Sequence, residues 1–210
     1  MSFYLNTSAW FFIITAFSLI IHEVVHALVA NFCGDDTAIE SGALSLNPRQ
    51  HFDLLGAIVI LILSLAHLGV GWTKSYSCNA SKFRNSRVSS FLIALSGPLT
   101  HFFIAFLSWW LLKYLGNSTL GAKSLSVLLK VNLSLGFFHL LPLYPLDGLK
   151  IFSTLLPRKW SAKYDFMCLR YGSWPLLFLI AVECLAFLTN LFPSPWRWFM
   201  QFVFRCCGLD

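Results

Sequence analysis

The chain contains five apolar runs of about 20 residues, the length that an α-helix needs to cross the hydrocarbon core of a bilayer. The runs cover residues 9–33, 53–71, 88–112, 124–146 and 173–192. Only 11% of all residues are charged, whereas soluble domains carry about 25% charged residues. The runs therefore predict an all-α integral membrane protein, a multi-pass bundle of about four to six transmembrane helices.

No Gly-, Ser- or Pro-rich linker and no internal repeat divides the chain, so we expect one polytopic domain over residues 1–210. We expect its core over residues 9–156, followed by a C-terminal helix and an aromatic interfacial tail within residues 157–210. The first ten residues contain no Lys or Arg, so we expect the first apolar run to remain in the mature protein.

The net charge of +6 would suggest nucleic-acid binding in a soluble protein, but here most Lys and Arg residues lie in short loops between apolar runs. Membrane topology explains this pattern better, and we reject a nucleic-acid partner. If residues 53–71 cross the membrane, the better orientation places nine basic residues inside and five outside. If they re-enter on the same side, the counts become ten and four. The positive-inside rule thus mildly favours a re-entrant segment, with the N-terminus outside.

Between the first two runs, residues 44–46 alternate apolar and polar side chains beside turn residues at Gly42 and Asn47. This weak pattern predicts a short membrane-associated β-hairpin over residues 36–47, whose edge could hold an unwound peptide by strand addition. The cysteines form no CxxC pair, so we expect them to be small apolar side chains rather than metal ligands or disulfides.

The first run contains the sequence HEVVH, in which His22 and His26 are one helical turn apart. Two imidazoles at i and i+4 lie on one face of a helix and can bind one metal ion. Glu23 is then close enough to accept a proton from a water that the metal acidifies. The alternative is that the histidines bond to neighbouring helices and Glu23 is a charge that packs between helices.

The depth of these side chains favours the metal. A carboxylate at mid-bilayer costs about 2.5 kcal/mol or more on insertion scales, whereas protein-bound zinc returns roughly 10 kcal/mol or more. A catalytic zinc takes three protein ligands, so a third ligand must come from another element. Asp147 is a candidate because it follows an apolar run that Pro142 and Pro145 would break. Taken alone, Asp147 would more simply cap the next helix.

Together these motifs resemble the site-2 protease family of intramembrane zinc metalloproteases, and most closely its small members without a PDZ domain. The resemblance runs from about residue 10 to residue 155. HEVVH lies in an early span, SGPLTH at residues 96–101 is similar to AGPxxN, and LPLYPLDG at residues 141–148 is similar to NPxxxLDG. NPRQHFDLLG at residues 47–56 and GWTKS at residues 71–75 are also similar to family segments, although GWTKS lacks the family's proline.

The resemblance implies a zinc endopeptidase that cuts transmembrane substrates, as in regulated intramembrane proteolysis. Zinc (Zn2+) would be bound by His22, His26 and Asp147, and Glu23 would activate the water. The resemblance also implies a site toward the cytosol and a re-entrant segment at residues 53–71.

This chain departs from the family at two positions, since His101 and His139 stand where the family usually has Asn. Asn at these places is thought to contact the substrate backbone or the oxyanion, a role that the resemblance implies for both histidines. A histidine can also donate a hydrogen bond to an oxyanion. Additional metal ligands and neutral core histidines are the alternatives.

Two other functions are compatible with some of these residues. One is an inactive homologue that binds membrane helices as a scaffold, which the changes at His101 and His139 would allow. The other is a small metal or proton transporter with intramembrane His and Asp side chains as a relay, although a transporter would more naturally show an internal repeat. For the protease, we expect a transmembrane protein substrate, the lipid bilayer as surroundings and a bacterial inner membrane as location.

Overall fold

The computed structural model of the chain describes residues 2–45, 47–52, 54–74, 79–114 and 120–209. All regular structure within these residues is helical, which confirms the all-α prediction. A short 3-10 helix covers Ala80–Lys82. The α-helices are α1 (Ser2–Phe32), α2 (Thr37–Glu40), α3 (Pro48–His51), α4 (Leu54–Leu65), α5 (Ser86–Leu112), α6 (Leu120–His139), α7 (Asp147–Leu155), α8 (Arg158–Tyr171), α9 (Trp174–Thr189) and α10 (Pro195–Cys206).

Two helical stretches, Thr7–Phe32 in α1 and Ser86–Leu112, which is α5, are long and apolar enough to cross a membrane. The pair α8 and α9, bent by 56° at its break, adds a third candidate if it is counted as one broken span. The described helices therefore provide two or three candidate spans, fewer than the four to six predicted from the apolar runs. The chain is nevertheless a membrane protein by the length and composition of these helices.

The missing spans have specific causes. The apolar run at residues 53–71 contains the 12-residue helix α4, which extends about 18 Å and is too short for a hydrocarbon core of about 30 Å. α6 has 20 residues, but Lys123, Lys130 and Asn132 make it more polar than α1 or α5. α9 has 16 residues and ends at Thr189.

The β-hairpin predicted over residues 36–47 is wrong wherever the segment is described. Residues 37–40 form the helical turn α2 and residues 41–44 form a further turn, while residue 46 lies outside the described residues. The reason is the buried carboxylate of Asp35, which accepts hydrogen bonds from the backbone N–H groups of Thr37 at 3.1 Å and Asn79 at 2.7 Å. These bonds start a helical turn, and an alternation of three residues is too short to oppose them. The strand addition predicted for this segment loses its basis as well.

The segment between α3 and residue 74 forms a hairpin that returns to its starting point. Its first part is the helix α4, and its second part, residues 68–74, returns without regular secondary structure. At the open end, the backbone N–H of Lys74 donates to the carbonyl of His51 at 2.7 Å. At the tip, His67 Nε2 lies 3.1 Å from Ser8 Oγ near the start of α1. We call residues 51–74, of which residue 53 is not described, the re-entrant hairpin after this shape; that the segment enters and leaves the membrane on one side stays a prediction.

Glycine allows the returning arm of the re-entrant hairpin to pack closely against its neighbours. A Cβ atom at Gly69 would lie 2.7 Å from the Cα atom of Val131 in α6. One at Gly71 would lie 2.5 Å from Cγ1 of Ile60 in α4. The arm is therefore wedged between helices, as non-helical backbone at membrane depth must be.

α5 packs against α1, α6 and α7 and lies at the centre of the helix bundle. The C-terminal helices close a buried apolar cluster on one side of this centre, and its members include Leu63, Phe138, Leu176, Trp196 and Met200. The tail that the sequence predicts to be interfacial forms α10, which buries Trp196, Met200 and Val203 and exposes Trp198 and Phe202. The described cysteines are free, and Cys78 lies outside the described residues.

Candidate active site

α1 carries the HEVVH motif into the interior of the protein. His22, Glu23 and His26 are all buried, with exposed fractions of 1%, 6% and 5%. The two imidazoles point the same way, and their Nε2 atoms lie 2.8 Å apart. His26 Nδ1 lies 2.7 Å from the carbonyl oxygen of Ile93 in α5, so Nδ1 carries the proton and Nε2 presents a lone pair. The i, i+4 spacing thus produces the convergence expected from the sequence.

Asp147 is the first residue of α7 and completes the cluster from the opposite side. Its Oδ2 atom lies 3.1 Å from His22 Nε2, and its Oδ1 atom lies 3.1 Å from His26 Nε2. α6 ends at His139, and a loop that contains Pro142 and Pro145 turns the chain back before α7 begins. The structure therefore brings together three candidate ligands, although Asp147 lies 121 positions after His26 in the chain.

Two glycines make this approach possible. A Cβ atom at Gly148 would lie 2.3 Å from the carbonyl oxygens of both Leu140 and Leu141, so only glycine lets the start of α7 meet the end of α6. A Cβ atom at Gly97 in α5 would lie 2.3 Å from His22 Cε1 and 2.7 Å from His26 Nε2. The glycines of the LPLYPLDG and SGPLTH motifs thus provide the space that the clustered side chains occupy.

The three candidate ligands fit a zinc ion. A tetrahedral zinc with ligands at about 2.0 Å would hold those ligands about 3.3 Å from one another, and the contacts here are 2.8 to 3.1 Å. Imidazole nitrogen and carboxylate oxygen are ordinary zinc ligands. The ligand atoms of His22, His26 and Asp147 lie close enough to one another to bind one metal ion. A bound cation would relieve the repulsion between lone pairs that face each other at these distances.

Glu23 is next to the cluster and is held by the re-entrant hairpin. Thr73 Oγ1 donates a hydrogen bond to Glu23 Oε1 at 2.5 Å. Glu23 also lines a cavity of about 430 Å³ together with His26 and Asp147. The wall of this cavity continues to Lys150 and Asp165, whose side chains are 58% and 31% exposed. The cavity therefore connects the buried carboxylate with the surface.

His101 and His139 lie on the other side of the cluster and do not line this cavity. His101 Nε2 is 3.1 Å from His22 Nδ1, and His139 Nδ1 is 3.0 Å from Asp147 Oδ2. His139 Nε2 is buried and has no hydrogen-bond partner among the described residues. Both histidines thus touch candidate ligands, and their predicted contact with substrate or oxyanion stays a prediction. The ligand atoms of His22, His101 and His139 also lie close enough to one another to bind one metal ion.

Sequence reasoning missed Thr73 and Asn132. Asn132 is fully buried in α6, and its Oδ1 atom lies 2.9 Å from His101 Nδ1. The signal for it was available, because an isolated amide in an apolar run is costly unless it has a partner. Thr73 gave no such signal, since its proximity to Glu23 depends on the return of the re-entrant hairpin. Of the other histidines, His51 Nε2 contacts Ser45 O and His67 Nε2 contacts Ser8 Oγ.

Comparison with known proteins identifies two relatives in Bacillus subtilis (strain 168). The chain is 37% identical over 155 residues to "Putative zinc metalloprotease YwhC", which covers 70% of this chain and 68% of that protein. The chain belongs to the site-2 protease family. The expected resemblance is thereby confirmed. The second relative of this chain is "Stage IV sporulation protein FB". The two are 31% identical over 111 residues, which cover 49% of this chain and 37% of that protein.

Two further comparisons gave no match. No protein-family model matches the chain, and no solved structure matches it either. Membership of the site-2 protease family therefore rests on the relatives, and the arrangement of the site rests on the geometry described above.

Proposed function

We propose that this member of the site-2 protease family is an intramembrane zinc endopeptidase that cleaves transmembrane segments of membrane proteins. One observation carries the proposal: His22, His26 and Asp147 converge at 2.8 to 3.1 Å, with Glu23 in the wall of the cavity that His26 and Asp147 also line. Three ligands, a base and an open space are the parts that a catalytic zinc site requires.

The proposed metal ligands are His22 Nε2, His26 Nε2 and the carboxylate of Asp147. Zinc bound to them would polarise the scissile carbonyl and lower the pKa of a water molecule toward neutrality. The name of the relative, "Putative zinc metalloprotease YwhC", supports this choice of metal. His22 and His26 are buried and the side chain of Asp147 is 17% exposed, which favours a site that is closed except on the cavity side.

Glu23 is the proposed general base and acid. Its carboxylate accepts the proton of the attacking water and then delivers it to the amine that leaves when the peptide bond breaks. The hydrogen bond from Thr73 occupies one oxygen, Oε1, and the other oxygen stays available for the water. Because the cavity wall reaches the exposed side chains of Lys150 and Asp165, water has a route to Glu23.

A transmembrane substrate must unwind before cleavage, because a helix hides its carbonyl groups in i to i−4 hydrogen bonds. The cavity has room for an extended segment of a few residues, at about 430 Å³. Apolar side chains, among them Ile93, Leu146 and Leu149, form much of its wall. This composition supports a substrate segment that is itself apolar.

The proposed orientation has the site toward the cytosol of a bacterial inner membrane. Arg84 donates its backbone N–H to Cys33 O at 3.2 Å, and Arg87 Nε donates to Thr154 O at 2.8 Å, so the ends of α1, α5 and α7 meet at one end of the bundle. Basic residues concentrate in the segments at this end: Lys82, Arg84, Arg87, Arg158, Lys159 and Lys163. His26 lies six residues before the end of α1 at Phe32, about 9 Å along the helix. The positive-inside rule then supports a site near the cytosolic surface.

The decisive experiment measures zinc content and cleavage of a model transmembrane substrate in proteoliposomes. We expect a chelator to abolish cleavage and added zinc to restore it. Glu23→Gln should retain zinc and lower the cleavage rate about 10²- to 10⁴-fold, because it removes the general base. Glu40→Gln, the same change at an exposed position of α2, is the matched control.

Other outcomes would contradict the proposal. Wild-type cleavage by Glu23→Gln would refute the assigned mechanism. Binding of substrate helices with no zinc-dependent cleavage would identify a scaffold. Zinc or proton flux into the liposomes, unaffected by Glu23→Gln, would identify a transporter.

A further inference from the structure

A chain of hydrogen-bonding side chains leads from the backbone of α6 to His22. Asn132 Nδ2 lies 2.9 Å from Leu128 O and 3.0 Å from Ser18 Oγ. Because the carbonyl oxygen of Leu128 can only accept, the NH2 group of Asn132 must face it, and this fixes the orientation of the amide. Asn132 Oδ1, an acceptor, is thereby directed at His101 Nδ1 at 2.9 Å.

The fixed amide determines which nitrogen of each histidine carries the proton. His101 Nδ1 must donate to Asn132 Oδ1, so in the neutral imidazole Nε2 has a lone pair and accepts. The atom 3.1 Å from His101 Nε2 is His22 Nδ1, which must therefore be the donor. The remaining nitrogen, His22 Nε2, then has its lone pair directed at Asp147 and His26. Each step follows from the donor and acceptor capacity of the preceding group.

We infer that Asn132 and His101 act as positioning residues that lock His22 in the tautomer able to bind zinc through Nε2. Metal-binding histidines in general donate their other N–H to a partner that fixes the ring and its tautomer. His26 has such a partner in Ile93 O, which comes directly from the backbone of α5. For His22 the partner is a second histidine, and this explains why a buried imidazole occupies position 101. The inference rests on the proposed zinc site.

The burial of His101 and Asn132 supports their role in positioning His22. His101 and Asn132 are both fully buried, with exposed fractions of 0%. Neither lines the cavity beside Glu23, so neither is available to a substrate there. Asn132 comes from α6 and His101 from α5, and together they connect the ring of His22 in α1 to two neighbouring helices.

The first test reads the tautomer directly. In zinc-loaded protein with 15N-labelled histidine, we expect NMR to show His22 and His101 each protonated at Nδ1, with His22 metal-bound through Nε2. Substitutions of single histidines assign the signals. A proton on His22 Nε2, or a His22 Nδ1 without a proton, would overturn the inference, and the tautomers themselves are read in the wild-type protein.

The second test compares zinc affinities. His101→Leu should weaken zinc binding about 10- to 100-fold, as removal of outer partners of metal ligands does. His101→Gln keeps an amide oxygen near the position of Nε2 and should bind zinc more tightly than His101→Leu. Asn132→Leu should weaken binding like His101→Leu, whereas Asn132→Asp retains an acceptor for His101. Ser108→Ala, which removes a buried hydroxyl that donates to Ile104 O on the same helix, is the control.

Cobalt substitution separates a positioning residue from a ligand. We expect the visible spectrum of cobalt-loaded His101→Leu to keep the wild-type ligand field, while His22→Ala changes it. A changed spectrum in His101→Leu would make His101 a ligand and overturn the inference, as would wild-type zinc affinity in both His101→Leu and Asn132→Leu. If the wild type itself binds no zinc, the proposed function fails as well, and this outcome is distinguished by the zinc content of the unmodified protein.

Discussion

Thr73 donates a hydrogen bond from Oγ1 to Glu23 Oε1 at 2.5 Å, although the two residues are 50 positions apart in the chain. Thr73 is located on the returning arm of the re-entrant hairpin, and Glu23 is in the middle of α1. The hairpin therefore does more than fill space between helices, because it orients the carboxylate on which the proposed chemistry depends.

The first prediction concerns this bond. Thr73→Val keeps the shape of the side chain and removes the donor, which leaves the carboxylate of Glu23 free to rotate. A hydrogen bond to a charged group is worth about 1.5–3 kcal/mol, so we expect kcat for the model substrate to fall about 10- to 150-fold with unchanged zinc content. Thr73→Ser retains the hydroxyl and should stay near the wild type. Equal kcat for Thr73→Val and the wild type would show that the bond is dispensable.

The second prediction concerns Gly97, which packs against the imidazole rings of His22 and His26. In Gly97→Ala the added methyl would lie 2.3 Å from His22 Cε1, so the ring must leave the position in which its Nε2 atom meets Asp147. Overpacking of this kind costs about 1–3 kcal/mol, which corresponds to zinc affinity about 5- to 150-fold weaker. Competition with a chromophoric chelator measures this change.

The matched control for that glycine is Gly136→Ala in α6. Its Cβ atom would meet the ring of Phe102 at 2.8 Å, and the three nearest atoms all belong to that ring. Both changes replace a helical glycine by alanine, so both gain helix propensity. We expect Gly136→Ala to alter thermal stability but to leave zinc affinity unchanged. Equal loss of zinc binding in the two variants would contradict a local effect at His22.

The third prediction uses zinc as a stabilising ligand. A metal that binds only the folded protein at 100 times its Kd stabilises it by about 2.7 kcal/mol, so added zinc should raise the Tm of metal-depleted protein in detergent. Asp147→Ala should abolish this zinc-dependent rise, because it removes the ligand that α7 supplies. Asp165→Ala removes another carboxylate from the wall of the same cavity and should retain the rise. A zinc-dependent rise in Asp147→Ala equal to that of the wild type would exclude Asp147 as a ligand.

The sequence alone was sufficient to predict candidate site residues that belong to a local motif. HEVVH predicted the convergence of His22 and His26, because one helical turn separates them, and the proline-bounded LPLYPLDG pointed to Asp147 as the third group. Other relationships depend on tertiary contacts that no local pattern encodes. The Asp35 carboxylate, for example, replaces the predicted β-hairpin by the turn α2 because it pairs with the backbone of Asn79, 44 positions away.

The described helices provide fewer candidate spans than predicted for a related reason. Apolar length predicts burial in lipid or in protein, but it does not distinguish a crossing helix from a helix that stops and returns. α4 ends at Leu65, and His67 then adopts a positive φ of 54°, which turns the chain back toward Glu23. The close approaches of Gly69 to Val131 and of Gly71 to Ile60 are likewise visible only in the structure.

The last prediction tests the return of this hairpin relative to the membrane. Gln50 and Lys74 are both exposed at its open end, beside the pair formed by Lys74 N and His51 O. Single cysteines at these two positions, in a background without native cysteines, should react with an impermeant thiol reagent from the same side of sealed vesicles. A cysteine at Lys113, just after the end of α5, should react from the opposite side. If positions 50 and 74 instead react from opposite sides, α4 and the returning arm cross the membrane, and the orientation proposed for the site must be reversed or abandoned.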